Sequence, residues 1–370
     1  MIGQRIKLAR KKSGLSLRGL ADALDGKVSA QAIGKYERDE MMPSSGVLLS
    51  LSKAMNVSLA YLMDAQGLEL TGVDFRTKAN TTTKDRAHVE TEVLEWIERY
   101  LQIERILELN SAEWKSPMPH FCRLDSVEDA EKLADDVRKE WNLGLDPIPN
   151  MTELLEEKGL KVLIESLPER VSGFTCLVKR NQNQTELPVV VVNRQFSLER
   201  RRMTLAHELS HRIIDPSALN EKDEEKAATY FAGALLMPRE HLEREVGKHR
   251  HRLGYKELMD LKRLYRVSGA ALLVRLKNIG IIDEPTLTYA FQSVARTWRT
   301  QEPEQLEPME CRGDQESPVR FERLCYRALA EGLISLTKAA ELLRKPIQDV
   351  EAELKGPNSK CALSSAIVVA

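Results

Sequence analysis

The sequence predicts an α+β protein: an all-α N-terminal module, a small sheet with packed helices in the middle, and a helical C-terminal region. Three observations carry this reading. Apolar residues recur at helical spacings through residues 1–63, three β-like runs fall between residues 160 and 192, and helical periodicity dominates thereafter. At 370 residues the chain has room for two or three domains.

The N-terminal module is read from Ile6, Leu8, Leu15, Leu17, Leu20, Leu24, Ile33, Leu48, Leu51 and Leu59. Ser16 and Ser29 stand where N-caps are needed, and Pro43-Ser44-Ser45 marks a turn before a third helix. Overall charge is balanced, with 55 Lys and Arg against 56 Asp and Glu, and says nothing of partners. Its distribution says more. Residues 1–63 hold ten Lys and Arg against five Asp and Glu, so a basic module precedes a mildly acidic body. That suits an anionic partner at the N-terminus.

Residues 64–86 are polar and read as a linker. An amphipathic helix is predicted from His88 to Leu109, on Val89, Val93, Ile97, Tyr100, Leu101, Ile103 and Leu107. Packing on this chain's own body is its favoured fate, and a homodimer or inter-domain contact is the alternative. Helices at 126–143 and Met151–Lys158 come next, then the β-like runs Leu160–Ile164, Gly173–Val178 and Leu187–Val192. The Val-rich third run suits a buried strand, and the mixed second suits a sheet edge to which an extended peptide could add. Helices Ser197–Ile214 and Asp223–Leu236 follow, each stopped by a proline. Residues 300–318, rich in Glu, Gln and Pro, read as a linker. Phe321–Leu354 reads as helix, turn, helix with balanced charge, a packing or dimerising unit. Residues 357–370 read as a loose tail.

The motif richest in chemistry is His207-Glu208-Leu209-Ser210-His211. Two histidines four apart share one helix face, roughly one turn apart. Leu205, Leu209 and Ile213 form a stripe about 200° round the helix. One side therefore packs on a core and the opposite side offers both imidazoles. Catalytic zinc needs three protein ligands and an open position for water. Glu208 lies beside the first histidine, where a general base belongs. The next helix begins with Asp223-Glu224-Glu225, and Glu225 lies near its inward face, so a third ligand should come from there. His241, His249 and His251 lie in a basic run that would repel a metal and read as a solvated face. Asn193, after the Val-rich run, reads as a turn residue or a cleft residue.

The run Arg201-Arg202-Met203-Thr204-Leu205-Ala206-His207-Glu208-Leu209-Ser210-His211, with Glu225, Ala228, Phe231-Ala232 and Leu235-Leu236-Met237-Pro238, resembles the ImmA/IrrE family of metallopeptidases. The resemblance implies a minimal zincin fold, Zn2+ held by His207, His211 and Glu225, and Glu208 as the base. Ser210 stands where the family usually has Gly, and Thr229 where it usually has Asn. Residues 1–63 resemble the XRE/Cro/C1-type helix-turn-helix, on Ile6, Ala9-Arg10, Leu15-Ser16, Leu20-Ala21, Ser29, Ile33, Tyr36-Glu37-Arg38, Pro43, Leu48, Leu51, Leu59 and Leu62. Helix-turn-helix geometry would put Ser29, Ala30, Gln31 and Lys35 toward the bases of double-stranded DNA, with Arg10, Arg18, Lys35 and Arg38 toward phosphates. Leu17 stands where that family often has Gln.

The expected organisation is a helix-turn-helix at 1–63, a linker at 64–86 and a zincin-like domain at 87–280. An extension at 281–318 and a helical unit at 319–356 complete it. The expected function is a DNA-binding transcriptional regulator fused to a zinc endopeptidase that cleaves a repressor or antitoxin-like protein. The rival reading is a transcription factor whose zincin-like domain is a non-catalytic sensor or dimer scaffold. The retention of Glu208 favours the enzyme. Five scattered cysteines without a C-x-x-C pair, and the lack of a signal or membrane-length apolar run, predict reduced thiols in a cytoplasmic protein.

Overall fold

The computed structural model describes residues 2–63, 68–71, 82–109, 114–168, 171–180 and 186–356. Most of the expected linker at 64–86, and the expected tail at 357–370, lie outside them. In chain order the helices are α1 (Ile2–Lys12), α2 (Leu17–Ala23), α3 (Ala30–Glu37), α4 (Ser45–Met55), α5 (Leu59–Met63) and α6 (Thr83–Ile106). Then come α7 (Ala130–Glu140), α8 (Met151–Glu157), α9 (Leu198–Ser210), α10 (Glu221–Leu236) and α11 (Arg239–Val246). The series ends with α12 (Tyr255–Tyr265), α13 (Gly269–Asn278), α14 (Glu284–Gln292), α15 (Arg320–Ala330), α16 (Leu336–Leu343) and α17 (Ile347–Lys355). The strands are β1 (Leu68–Thr71), β2 (Lys161–Glu165), β3 (Gly173–Arg180) and β4 (Glu186–Asn193). No helix among the described residues is long and apolar enough to cross a membrane. Cys122, Cys176, Cys311 and Cys325 are free thiols.

The chain divides into two compact units, which is not the division read from the sequence. The first comprises Met1–Leu68, Arg86–Ser111 and Val319–Ala370, the second Glu69–Asp85 and Ala112–Pro318. In the first unit α1 to α5 close round Ile6, Leu20, Ile33, Leu51 and Leu62, all buried. Ser16 and Ser29 cap α2 and α3, accepting from the Gly19 and Ala32 amides. Helix α6, expected with the zincin-like body, belongs here because its acids meet cations on both neighbouring groups of helices. Glu98 pairs with Arg5 at 2.8 Å, and Glu92 with Lys12 and, at 3.1 Å, with Arg344 before α17. Arg99 donates to the Leu342 carbonyl at 2.6 Å and Tyr100 stacks on Phe321. The C-terminal helices α15 to α17 are therefore part of this unit.

The second unit is built on a sheet of order β1-β3-β4-β2. Strands β3 and β4 run antiparallel, Gly173 opposite Val192, and β2 and β4 run parallel, Lys161 opposite Val189. Val189 to Val192 are fully buried, as the Val-rich run predicts. The expectation that β3 is an edge is corrected: it lies between β1 and β4. The partner comes from Leu68-Glu69-Leu70-Thr71, whose alternation carries a strand signal inside a segment that reads as linker. Helix α9 follows β4 and lies against the sheet. A Cβ at Gly173 would stand 2.7 Å from Thr204 Cγ2 and 2.5 Å from the Val191 carbonyl oxygen, so this close approach requires glycine. Leu205, Leu209 and Ile213 are buried with Val190, Val192, Phe231 and Leu235 in one core.

The expected linker at 300–318 is also corrected, because its acids bind the back of α9. Arg201 pairs with Glu307 at 2.6 Å, both fully buried. Arg202 pairs with Glu316, which also accepts the Met151 amide at 2.9 Å. Glu199, in the first turn of α9, meets the buried Lys262. Glu307 further accepts the Gly313 and Gln315 amides. A Glu-rich segment reads as solvated only while the cations that bind it are out of sight.

Candidate metal centre and nucleic-acid interface

Helix α9 is capped by Ser197, whose hydroxyl accepts the Arg200 amide, and ends at Ser210. His211 is its C-cap but keeps right-handed helical angles (φ −67°, ψ −10°), so the four-residue spacing still aligns the two imidazoles. Ser210, at the position expected to be Gly, is buried and donates back to the His207 carbonyl at 2.6 Å. Helix α10 begins two residues earlier than the sequence suggests, at the Asn220 cap, and lies against α9.

This arrangement brings His207, His211 and Glu225 together, and they are the only group of this kind among the described residues. The two Nε2 atoms are 3.2 Å apart. Glu225 Oε2 is 3.4 Å from His207 Nε2, and Oε1 is 3.7 Å from His211 Nε2. Nitrogen and oxygen donors about 2.0–2.2 Å from a tetrahedral zinc stand roughly 3.3–3.6 Å from one another. The three separations, measured to both carboxylate oxygens of Glu225, bracket that range, and one donor atom from each residue lies within 4.8 Å of the others. Glu225 is 43 % exposed against 11 % for His211, so the cluster opens to solvent on the Glu225 side. Glu208 is buried on α9 between the histidines.

The outward ring nitrogens are supported too. His207 Nδ1 lies 3.4 Å from Thr229 Oγ1, whose hydroxyl donates to the Glu225 carbonyl at 3.0 Å and so presents a lone pair to the ring. His211 Nδ1 lies 3.4 Å from the buried Glu224. Both contacts favour the tautomer with hydrogen on Nδ1 and a lone pair on Nε2, the form a metal needs. Thr229 thus occupies the place where Asn is usual and meets the ring itself. Glu224 was not singled out from the sequence. Its signal was available: it heads the buried stripe Ala228, Phe231, Leu235, where an acid is out of place.

Other expectations resolve plainly. Asn193 is neither a turn nor a cleft residue but the buried last residue of β4: its amide donates to the Leu167, Pro168 and Val171 carbonyls and its oxygen accepts from the Leu167 and Gln195 amides. His249 and His251 are exposed, and His241 meets the Tyr265 hydroxyl at 2.6 Å. On the N-terminal unit, Arg18, Gln31 and Lys35 are exposed on α2 and α3. Ser29 spends its hydroxyl on the α3 cap. Arg38 is exposed and pairs with Glu40, and that pairing, a hydrogen bond first, holds the guanidinium above its ordinary pKa. Arg10, named among the phosphate contacts, is instead held by Glu37 and the Leu15 carbonyl.

Comparison with known proteins agrees with both units. Residues 155–277 match the family described as the IrrE N-terminal-like domain of the M78 peptidases, and residues 6–62 match a helix-turn-helix family. The chain is also similar to the HTH-type transcriptional regulator ImmR of Bacillus subtilis (strain 168). The two are 26 % identical over 138 residues, which is 37 % of this chain and 97 % of that protein. The chain therefore joins an XRE-type helix-turn-helix domain to a domain of the ImmA/IrrE peptidase family.

Proposed function

We propose that this protein is a DNA-binding transcriptional regulator carrying a zinc-dependent endopeptidase, which cleaves a regulatory protein such as a repressor or antitoxin. The observation that supports the peptidase most is the donor triangle of His207, His211 and Glu225 with Glu208 beside it. Zinc bound there would polarise a peptide carbonyl and acidify a water. Glu208 would act as the general base toward the attacking water and pass the proton to the departing amine. Thr229 and Glu224 hold the two imidazoles in register. The match to a regulator and the exposed Arg18, Gln31 and Lys35 support the DNA-binding half.

The test is metal analysis of the purified chain with an assay on proteins encoded beside its gene. One zinc per chain is expected. Glu208→Gln should keep the zinc and lose cleavage by about a hundredfold or more. A chain with His207 and His211 intact that takes up no stoichiometric metal would end the peptidase reading. Zinc-replete wild type and Glu208→Gln that behave alike in cells would leave the scaffold.

A further inference from the structure

A cavity of about 650 Å³ runs along α10 from Glu225, the member of the donor cluster that lines it. Glu225 and Thr229 line its near end, Tyr230 and Gly233 its middle and Met237 its far end. Glu225, Thr229, Gly233 and Met237 follow the four-residue repeat of one helix face, so the cavity spans about three turns, some 18 Å, up to the C-cap of α10. Its other wall comes from α13 and α14, through Ala270, Ala271, Val274 and Phe291. Met203 lies on α9 four residues before His207, so it shares that histidine's face and roofs the near end.

The lining has a definite chemistry. The walls are mostly apolar, with Glu128 and Asn278 also on them, and three small residues, Gly233, Ala270 and Ala271, leave the space that larger ones would fill. The cations along it are mostly spoken for: Lys226 by Asp223 and Arg275 by Glu131. Arg299 is the exception. It is exposed, its guanidinium lies 4.5 Å from the Phe291 ring centre, and it pairs with no acid among the described residues. A half-open, mostly apolar slot that reaches Glu225, with an unpaired cation on an aromatic rim, fits a large apolar side chain followed by a carboxylate.

We propose that this cavity is the specificity pocket of the peptidase, accepting a large apolar side chain next to the bond at the metal centre, with Arg299 receiving an acidic residue beyond it. This rests on the metallopeptidase reading above and adds the class of polypeptide it selects. Ala271 sets the width of the pocket and Arg299 its charge preference.

The probes are two hydroxamates, benzylsuccinyl and unsubstituted succinyl, each coupled to glutamate amide, titrated into the zinc-loaded full chain. Burying the benzyl group should favour the first roughly tenfold to a hundredfold. Ala271→Phe should bring that ratio close to one at unchanged zinc content, and Ala270→Phe serves if the first variant does not fold. Arg299→Glu, at an exposed position, should weaken the glutamate probe relative to its lysine counterpart. A wild-type ratio near one, or a ratio that survives filling of the pocket, overturns the assignment. Failure of both hydroxamates to bind, or of zinc to be held, would instead overturn the metallopeptidase reading and this inference with it.

Discussion

The orientation of an imidazole is set by what its second nitrogen meets. Here Glu224 meets His211 and Thr229 meets His207, both at 3.4 Å. A carboxylate does this more strongly than a hydroxyl, because the hydrogen bond to it is charge-assisted. Glu224→Gln should therefore lower zinc affinity by about 10–100-fold, in the range typical for such supporting partners. Thr229→Val should lower it less. Competition against a calibrated chelator measures both. Equal affinity in all three proteins, with only thermal stability reduced, would mean that Glu224 merely fills space. The difference in legibility between Glu224 and Glu225 follows from the same physics. A five-residue motif and a following acidic helix point to a ligand, whereas a supporting partner is recognised only when two helices are seen face to face.

Helix α9 is held from behind by charge as well as by its apolar stripe. Leu205, Leu209 and Ile213 announce themselves by spacing, and the structure buries all three. The pairs made by Arg201, Arg202 and Glu199 do not, because their partners lie on α12 and beyond, up to 114 residues away. The same limit hid β1, whose partner β3 lies about a hundred residues on. Glu307→Ala would leave the Arg201 guanidinium buried without its carboxylate, a change that typically costs about 3–5 kcal/mol. Burial opposes ionisation of Glu307, but the Arg201 hydrogen bond and the Gln315 amide outweigh it and hold the carboxyl below its ordinary 4.5. A depressed carboxyl stabilises the fold fully above its unfolded pKa and loses that contribution as pH falls through the folded value. Chemical denaturation of the wild type should thus show stability falling as pH drops below about 4.5. Glu307→Ala should be less stable at neutral pH and show a shallower decline. Parallel acid limbs in the two proteins would place the acid sensitivity elsewhere.

The two units have separate cores and separate chemistry, so their functions should be separable by mutation. Helix α3 presents Gln31 and Lys35, with Arg18 on α2, and none of the three has an ion pair among the described residues. A phosphate contact adds affinity on any sequence through counterion release, whereas an amide at a base edge acts at one position of the site. Lys35→Ala should therefore weaken binding nearly equally on specific and random duplexes, and reduce the slope of log affinity against log salt by about one. Gln31→Ala should cost about 1–3 kcal/mol on the preferred operator only, relaxing the choice at one base pair. Arg10→Ala should act differently from both. Its guanidinium ties the end of α1 to Glu37 at the end of α3, so its loss should lower the melting temperature before it changes the salt slope. Glu208→Gln should leave all of these measurements as in the wild type, since it removes one carboxylate from the second unit and none from the first. Fluorescence anisotropy across a salt series separates the outcomes. A Lys35→Ala slope equal to the wild type would remove α3 from the phosphates, and an effect of Glu208→Gln on operator affinity would tie the two chemistries together.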